Sequence, residues 1–416
     1  MRNQTMKKGL GFVLVAAMVS DLVAGCGNKA DAVEVPEIEG YELLWHDEFT
    51  GDKLDETNWN VEVRDPGWTN HELQAYMDDE KNVYVEDGKL VLRAVETPMS
   101  NGRNYYSSGK VNSQHKKPFT YGKVVVSAKV PEGQGLWPAI WMMPENEMLY
   151  GQWPKCGEID IMEVLGHNVD TAYSTIHYGE PHAQQQGLRD IADGEANYAE
   201  AFHEYSVEWE PGEIRWYIDG EMVLTVNDWF SAAGEEEQEY PAPFNQPFFV
   251  QMNLAVGGDW PGDPDENTDF ENAKFEIDYV RVYQKAQYDM NVTKPVYEPR
   301  VADETGNFIV DGDFSDASED LTDDVDWKFL LAESGQGSAC IQDGAIEILT
   351  EAQGTVDYSV QLVHWDIPLE KGKKYRVTYD AKAEENRNII MCVYAPYADW
   401  IRYFPAPEYN LTTEWQ

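Results

Sequence analysis

Three acidic residues set close together carry the strongest chemical signal in the chain: Cys156-Gly-Glu158-Ile-Asp160-Ile-Met-Glu163-Val-Leu-Gly166. Side chains alternate along a β-strand, so Glu158 and Asp160 share one face while Ile159 and Ile161 take the other. Glu163 is an odd number of steps from Glu158 and on a regular strand would enter the core, where an unpaired ionised carboxylate is costly. A single β-bulge at Ile161-Met162 restores the parity and brings all three carboxylates to one open face, and the spacing predicts that bulge. Like charges along a strand weaken a sheet. They suit hydrolysis of a glycosidic bond, where a carboxylate nucleophile and a carboxylic acid stand about 5 to 5.5 Å apart and negative neighbours separate their pKa values. Asp160, between the two glutamates, would then hydrogen-bond the nucleophile. A metal held by the same three groups is the competing chemistry, but zinc would ask for His partners and calcium for more oxygens.

The surroundings fit a sugar cleft. Gly135-Leu-Trp137-Pro-Ala-Ile-Trp141 places two indoles on the same side of a strand, and indole faces stack on the CH faces of pyranose rings. Trp153, and Trp260 in Gly257-Gly-Asp-Trp-Pro-Gly262, lie in segments of the kind that rim a cleft; Trp137, Trp141 and Trp260 are the binding candidates. His177, in Ser174-Thr-Ile-His-Tyr178, is placed either to orient a catalytic glutamate or a sugar hydroxyl or to pack as a core residue. Asn70 and Glu72 complete the candidate sugar-binding set.

Short alternating runs must position these groups. Lys89–Arg93, Gly122–Val130, Glu204–Trp209, Glu213–Ile218 and Glu276–Tyr283 are strand-length and rich in β-branched or aromatic residues. Asp87-Gly88, Pro211-Gly212 and Asp219-Gly220 stand between such runs as hairpin turns. Only a weak helical hint occurs, near Ala196 to Phe202. The fold class is therefore all-β, one large antiparallel sandwich over residues 39–285. Residues 286–304, with Pro295 and Pro299, form a linker. A second, smaller β-sandwich is expected over residues 305–416 from Gly306–Phe314, Lys374–Ala383 and Ile389–Tyr394, and the chain ends at Gln416 as if cut through a strand. Within it, Cys340 and Cys392 are a candidate disulfide, and the acidic run 313–326 a solvated loop.

A formal net charge of −45 repels polyanions, which removes nucleic acid, sulfated glycans and anionic lipid surfaces from the candidate partners. Arg2, Lys7 and Lys8 precede an apolar stretch, 9–19, too short to span a bilayer, and Leu22-Val-Ala-Gly-Cys26 follows. That pattern resembles a bacterial lipoprotein signal over residues 1–25, with Cys26 the lipidated first residue, residues 26–38 a tether, and an extracellular, cell-surface location. Contact with the membrane would be through that lipid alone.

Glu158-Ile-Asp-Ile-Met-Glu163, preceded by the Trp137/Trp141 segment and followed by Asn253-Leu-Ala-Val-Gly-Gly258 and Asp278-Tyr-Val-Arg-Val-Tyr283, resembles glycoside hydrolase family 16 in its laminarinase branch. The similarity runs from Trp45-His-Asp-Glu-Phe49 to Tyr283. It implies a concanavalin-like β-jelly-roll with a concave cleft and endo-acting, retaining cleavage of β-1,3-glucan or mixed β-1,3/1,4-glucan, with no cofactor for catalysis. It also implies Glu158 as nucleophile, Asp160 as assisting residue and Glu163 as acid/base, with Met162 giving the bulged form of laminarinases and agarases. Family members often carry a structural Ca2+, and the positions that resemble its ligands are Glu48, Gly88 and Asp278. The usual arginine of a Ser-Gly-Arg segment is Lys110 here, in Ser108-Gly-Lys-Val-Asn112. The expected partner is a β-glucan polysaccharide, and the expected state a monomer. Residues 305–416 resemble carbohydrate-binding modules of families 4 and 9. A family 16 enzyme acting on another polysaccharide such as agarose, and a non-catalytic β-glucan-binding protein, are the alternatives; the second would be marked by loss of Glu158 or Glu163, and both are present.

Overall fold

The computed structural model of the chain describes residues 35–192, 194–232, 234–296, 300–315, 321, 326–332, 334–342, 344–370, 372–395, 401–403 and 407–416. Cys26 and the leader around it lie outside these residues, as does most of the acidic run 313–326.

Two antiparallel sheets dominate. One has eight strands among the described residues, in the order β16 (Glu221–Val226), β15 (Glu213–Ile218), β14 (His203–Glu210), β9 (Gly122–Lys129), β18 (Lys274–Gln284), β5 (Lys89–Arg93) and β4 (Val83–Glu86), with β1 (Glu42–Asp47) also on β18. The other has seven, in the order β13 (Ala183–Asp190), β12 (Asn168–Tyr178), β11 (Glu158–Leu165), β10 (Leu136–Pro144), β17 (Phe248–Val256), β8 (Lys110–Asn112) and β2 (Asn60–Val61). A small third sheet joins β3 (Gln74–Tyr76), β7 (Asn104–Ser108) and β6 (Val95–Pro98).

Alternation sorts the side chains. In β15, Ile214, Trp216 and Ile218 are fully buried while Glu213, Arg215 and Tyr217 face outward. A single core takes Val124, Val126, Trp209 and Trp216 from the eight-stranded sheet and Ile140, Met142, Ile159 and Leu254 from the seven-stranded one, the layer arrangement of a sandwich. Asp87-Gly88 and Asp219-Gly220 turn their hairpins with both residues at positive φ, between 51° and 80°, the twist that two-residue turns require. The five predicted strands of the sandwich are all present. The segment 196–202 makes turns rather than a helix. Among the described residues no helix is long and apolar enough to cross a membrane.

Beyond residue 305 the picture differs from the expected second sandwich. Among the described residues four two-stranded ladders form: Trp327–Leu331 with Val360–His364, Gly335–Gln342 with Ala345–Gln353, Arg387–Ile390 with Glu408–Leu411, and Tyr394–Ala395 with Ile401–Arg402. Gly306–Phe314 and Lys374–Ala383, predicted as strands, are not. In the first, Asn307 and Asp311 accept hydrogen bonds from the backbone of Ile309 and Ser315, and Asp311 and Phe314 have positive φ, so local turns replace a ladder. In the second, backbone pairing among the described residues joins Ala381 to Gln416 and Ala383 to Thr412. Cys340 and Cys392 are free thiols.

Candidate active site

The predicted bulge is present. Asp160 pairs with Thr175 and Glu163 with Tyr173, so Ile161 and Met162 together oppose Ser174 alone. On the other side of β11, Met162 pairs with Ile140 and Asp160 with Trp141, which leaves Ile161 unmatched. Both bulge residues enter the core, at 0% exposure. The bulge is also tied on both sides. Ser174 donates its Oγ–H to the Ile161 carbonyl at 3.0 Å, and Trp216, reaching across from the other sheet, donates Nε1–H to the Asp160 carbonyl at 2.9 Å. These bonds satisfy carbonyls that the broken ladder would leave unpaired.

Register then dictates the neighbours. Glu158 stands opposite His177, Asp160 opposite Thr175 and Glu163 opposite Tyr173, so the face of β12 that meets the carboxylates carries His177, Thr175 and Tyr173. Each glutamate has its own indole donor: Trp153 Nε1–H bonds Glu158, and Trp137 Nε1–H bonds Glu163 at 3.1 Å. Burial raises Glu158 to about 7 against the pull of Trp153, Asp160 and the charge of Lys110. Burial and the charge of Glu158 raise Glu163 to about 8. Asp160, 3% exposed, is pushed well above the carboxylate range by burial and by both glutamates. Three negative charges are therefore not held at once, and Glu158 gives up its proton more readily than Glu163 does. His177 is lowered to about 3 by burial and His182, so its imidazole is neutral, with Nε2 3.4 Å from Asp160 Oδ2.

Aromatic side chains flank this centre. Trp260 packs edge-on to Trp137 and to Tyr173, with centroids 5.4 and 5.1 Å apart. Its loop is pinned by Gly257 N–H to the Gly135 carbonyl at 2.7 Å and by Gln134 to the Pro261 carbonyl at 2.7 Å. Gly135 has φ +79°, and a Cβ there would lie 2.4 Å from the Pro264 nitrogen, so only glycine lets the loop bring Trp260 this close. Trp141 stands opposite Asp160 on the same face as Trp137, and its Nε1–H bonds Asn253 at 2.7 Å; Asn253 bonds Tyr76, whose hydroxyl reaches Glu72. Asn70 and Gln74 also donate to Glu72, which is buried and raised by that burial. Asn70 and Glu72 thus lie with the Trp141–Asn253 network rather than on the carboxylate strand. Lys110 is buried there too, its Nζ 4.6 Å from the Trp68 and Trp141 rings and 3.7 Å from Glu62.

The positions proposed for calcium are placed differently from a side-chain cage. Arg281 holds both carboxylate oxygens of Glu48, at 2.9 and 2.8 Å, and Gly88 has only a carbonyl to give. Asp278 is raised by burial and by the charge of Glu48. Among the described residues no group of three His, Cys, Asp or Glu side chains is arranged to hold a metal. A cation there would depend on main-chain oxygens with Asp278, away from the carboxylate strand.

The pattern of Glycosyl hydrolases family 16 matches residues 68–281. The chain belongs to this family. It is a glycoside hydrolase, as its family and relatives establish. The chain is 41% identical over 268 residues to "Glucan endo-1,3-beta-glucosidase A1" of Niallia circulans, covering 60% of this chain and 39% of the length of that one. It is 37% identical to "Beta-glucanase" of Rhodothermus marinus, over 59% of this chain and 85% of the other. Among solved structures, the endo-beta-1,3-glucanase from Pyrococcus furiosus matches with 36% identity and a TM-score of 0.51, covering 61% of this chain and 98% of that one.

Sequence reasoning passed over several residues that pack around the carboxylates and Lys110. Tyr173 and Thr175 were legible, since alternation from His177 places them on one face of β12. Trp153, read as rim, is half-exposed and also bonds Glu158. His182 and Trp68 carry no local pattern that separates them from ordinary loop residues.

Proposed function

We propose that this chain is an endo-acting, retaining hydrolase of β-1,3-glucan that also accepts mixed-linkage β-1,3/1,4-glucan. The observation that carries the reading is the bulged strand β11, which aims three unpaired carboxylates into one cleft and gives Glu158 and Glu163 a separate indole donor each. Glu158 is assigned as nucleophile, Glu163 as acid/base and Asp160 as the assisting group. Glu163 protonates the glycosidic oxygen as a Glu158 oxygen attacks the anomeric carbon; the C–O bond breaks and the sugar is held as an ester. Glu163, now a carboxylate, takes a proton from water, and the resulting hydroxide displaces Glu158 with a second inversion.

An endo mode is supported by the length of the polar row. Gln186, Thr175, Asp160, Trp141, Gln251, Asn112 and Asn60 are successive cross-strand partners across the seven-stranded sheet. At about 4.8 Å per strand the row runs roughly 29 Å, with Asp160 away from either end. That suits the interior of a polymer. The substrate assignment draws on the relatives named as β-1,3-glucanases and on the neutral polymer that a net charge of −45 would tolerate. On the sequence patterns alone, we read the enzyme as extracellular, lipid-anchored through Cys26 and monomeric, with residues 305–416 as a family 4/9-like carbohydrate-binding module.

The test is reducing-end release from laminarin, barley β-glucan, lichenan, agarose and xyloglucan, with products sized over time. Early mid-sized oligosaccharides from laminarin are expected, and the barley signal sets the tolerance for β-1,4 links. Silence on both glucans would overturn the substrate, and release from agarose would move it to a galactan.

A further inference from the structure

His182 lies five residues beyond His177, in the turn joining β12 to β13, and is half-buried. The two imidazoles stack with centroids 5.2 Å apart at an interplanar angle of 23°, and Nε2 of His182 is 3.0 Å from Nδ1 of His177. The Trp153 ring lies 4.9 Å from His182 and 6.0 Å from His177, so the indole that bonds Glu158 also backs both histidines. At the other end of His177, Nε2 faces Asp160 Oδ2, a buried oxygen with no hydrogen-bond partner among the described residues. Asp160 in turn hydrogen-bonds Glu158.

Counting protons along this line fixes its direction. A neutral imidazole has one N–H and one lone pair, and a protonated carboxyl has one O–H. The contact between the histidines needs a single proton. The O–H of Asp160, if given to Glu158, is not available to His177, so satisfying Oδ2 requires His177 to be the donor there. His177 then has only a lone pair left at Nδ1, and His182 must supply the proton. The reverse assignment leaves a lone pair on His177 Nε2 facing Oδ2, two acceptors in a buried site, which is costly.

We infer that His182 is a positioning residue: by donating Nε2–H to Nδ1 of His177 it holds His177 as the Nε2–H tautomer, which anchors Asp160 so that its proton is presented to Glu158. The inference rests on the assignment of Glu158 as nucleophile. No proton changes hands along this line; only orientation is transmitted. The effect falls on turnover rather than on sugar binding, because the Asp160–Glu158 bond changes strength as Glu158 passes between anion and ester.

Two substitutions separate this role from packing. His182→Phe keeps a ring against His177 and Trp153 but has no donor; His182→Gln loses the ring but carries an amide N–H. With the glucan hydrolysed fastest in the panel above, His182→Phe should lower kcat about 10-fold, as one buried hydrogen bond would, with KM unchanged, and His182→Gln should recover most of the loss. Equal turnover in His182→Phe and wild type would overturn the inference, as would a His182→Gln variant more impaired than His182→Phe, the result expected from packing alone. Nitrogen-15 shifts of His177 in the wild-type resting enzyme report the tautomer directly, without substrate and without any variant: Nε2–H is expected, and Nδ1–H would overturn the proposal. Retained activity in Glu158→Gln would instead sink the nucleophile assignment, while the tautomer result would stand.

Discussion

Two groups of carboxylates in this sandwich are treated in opposite ways. On the outer face of the eight-stranded sheet, Arg215 reaches Glu208 at 3.0 Å and Glu210 at 2.5 Å and also contacts Glu213, while Lys123 bonds Glu208 at 3.1 Å and Lys285 bonds Glu210 at 2.9 Å. Burial alone would raise Glu208 and Glu210, but these donors and their charge outweigh it and both are lowered. On the open face of the seven-stranded sheet, Glu158 and Glu163 receive indole N–H donors, and no lysine or arginine comes within ion-pair distance among the described residues. There burial wins and all three acids are raised. The residue type is the same; the partner decides. A paired glutamate holds a sheet together, whereas a glutamate left with neutral donors keeps a proton it can exchange near neutral pH.

The comparison is sharpened most by deleting charge on each side. Glu158→Gln should lower kcat by roughly 10⁴-fold or more while glucan binding persists, since no other group can form the ester. Glu163→Gln should cost roughly 10² to 10⁴-fold, and less on aryl glycosides whose leaving groups need no proton. Arg215→Met, which touches only the paired set, should change kcat less than two-fold. Substantial turnover by Glu158→Gln would dissolve the distinction between the two groups. Steady-state kinetics on one glucan and one aryl glycoside measure all three.

The pH profile follows from the same contrast. Turnover needs Glu158 ionised and Glu163 protonated. Because burial raises Glu158 to about 7, the acid limb of kcat/KM should lie well above the range near 4 of an exposed glutamate, and activity should fall as pH drops below about 7. Glu163, raised to about 8, should set the alkaline limb as it loses its proton. A flat profile from pH 5 to 6 would mean that the cleft ionises Glu158 as fully as the outer face ionises Glu208.

Much of this was legible in the sequence because β-structure has a period of two. The odd step from Glu158 to Glu163 demanded a bulge, and the bulge stands at Ile161-Met162. The strands of β15 and the turns at Asp87-Gly88 and Asp219-Gly220 were equally plain. Contacts made by loops were not. Trp153 reaches Glu158 from a segment with no period, and Trp141, four residues from Trp137, turned to Asn253 because the partners on β17 decide where its N–H goes. Beyond residue 305, alternation over-predicted strands: Gly306–Phe314 reads as a run of apolar and polar residues, yet Asn307 and Asp311 fold it back on itself. Those segments also lack a deep core to enforce pairing, for only Leu321, Phe329, Ser359 and Leu411 are buried among the described residues there.

The smallest expected effects concern stability, and they should differ in sign. An acid whose folded pKa is raised binds its proton more tightly in the native state, so the fold loses stability as pH climbs from the unfolded value toward the folded one. Asp160 is such a group. Asp160→Asn should therefore raise Tm at pH 8, by on the order of 1 to 3 kcal/mol or a few degrees, with no gain near pH 3 where the carboxyl is protonated in both states. Glu208 and Glu210 are the reverse case, lowered in the fold, so their contribution is present above about pH 4 and disappears as pH falls through their folded values. Arg215→Met should lower Tm at pH 8 by about 1 kcal/mol or less, because the Arg215 side chain is 22% exposed, solvent screens the pairs, and Lys123 and Lys285 remain. That loss should shrink as pH falls and vanish below the lowered folded values of Glu208 and Glu210. Thermal unfolding of the two variants across this range gives curves that diverge with rising pH, one above wild type and one below. Curves moving together would mean that the carboxylates of the cleft and of the outer face share one electrostatic environment, and that pairing is not what separates Glu158, Asp160 and Glu163 from Glu208 and Glu210.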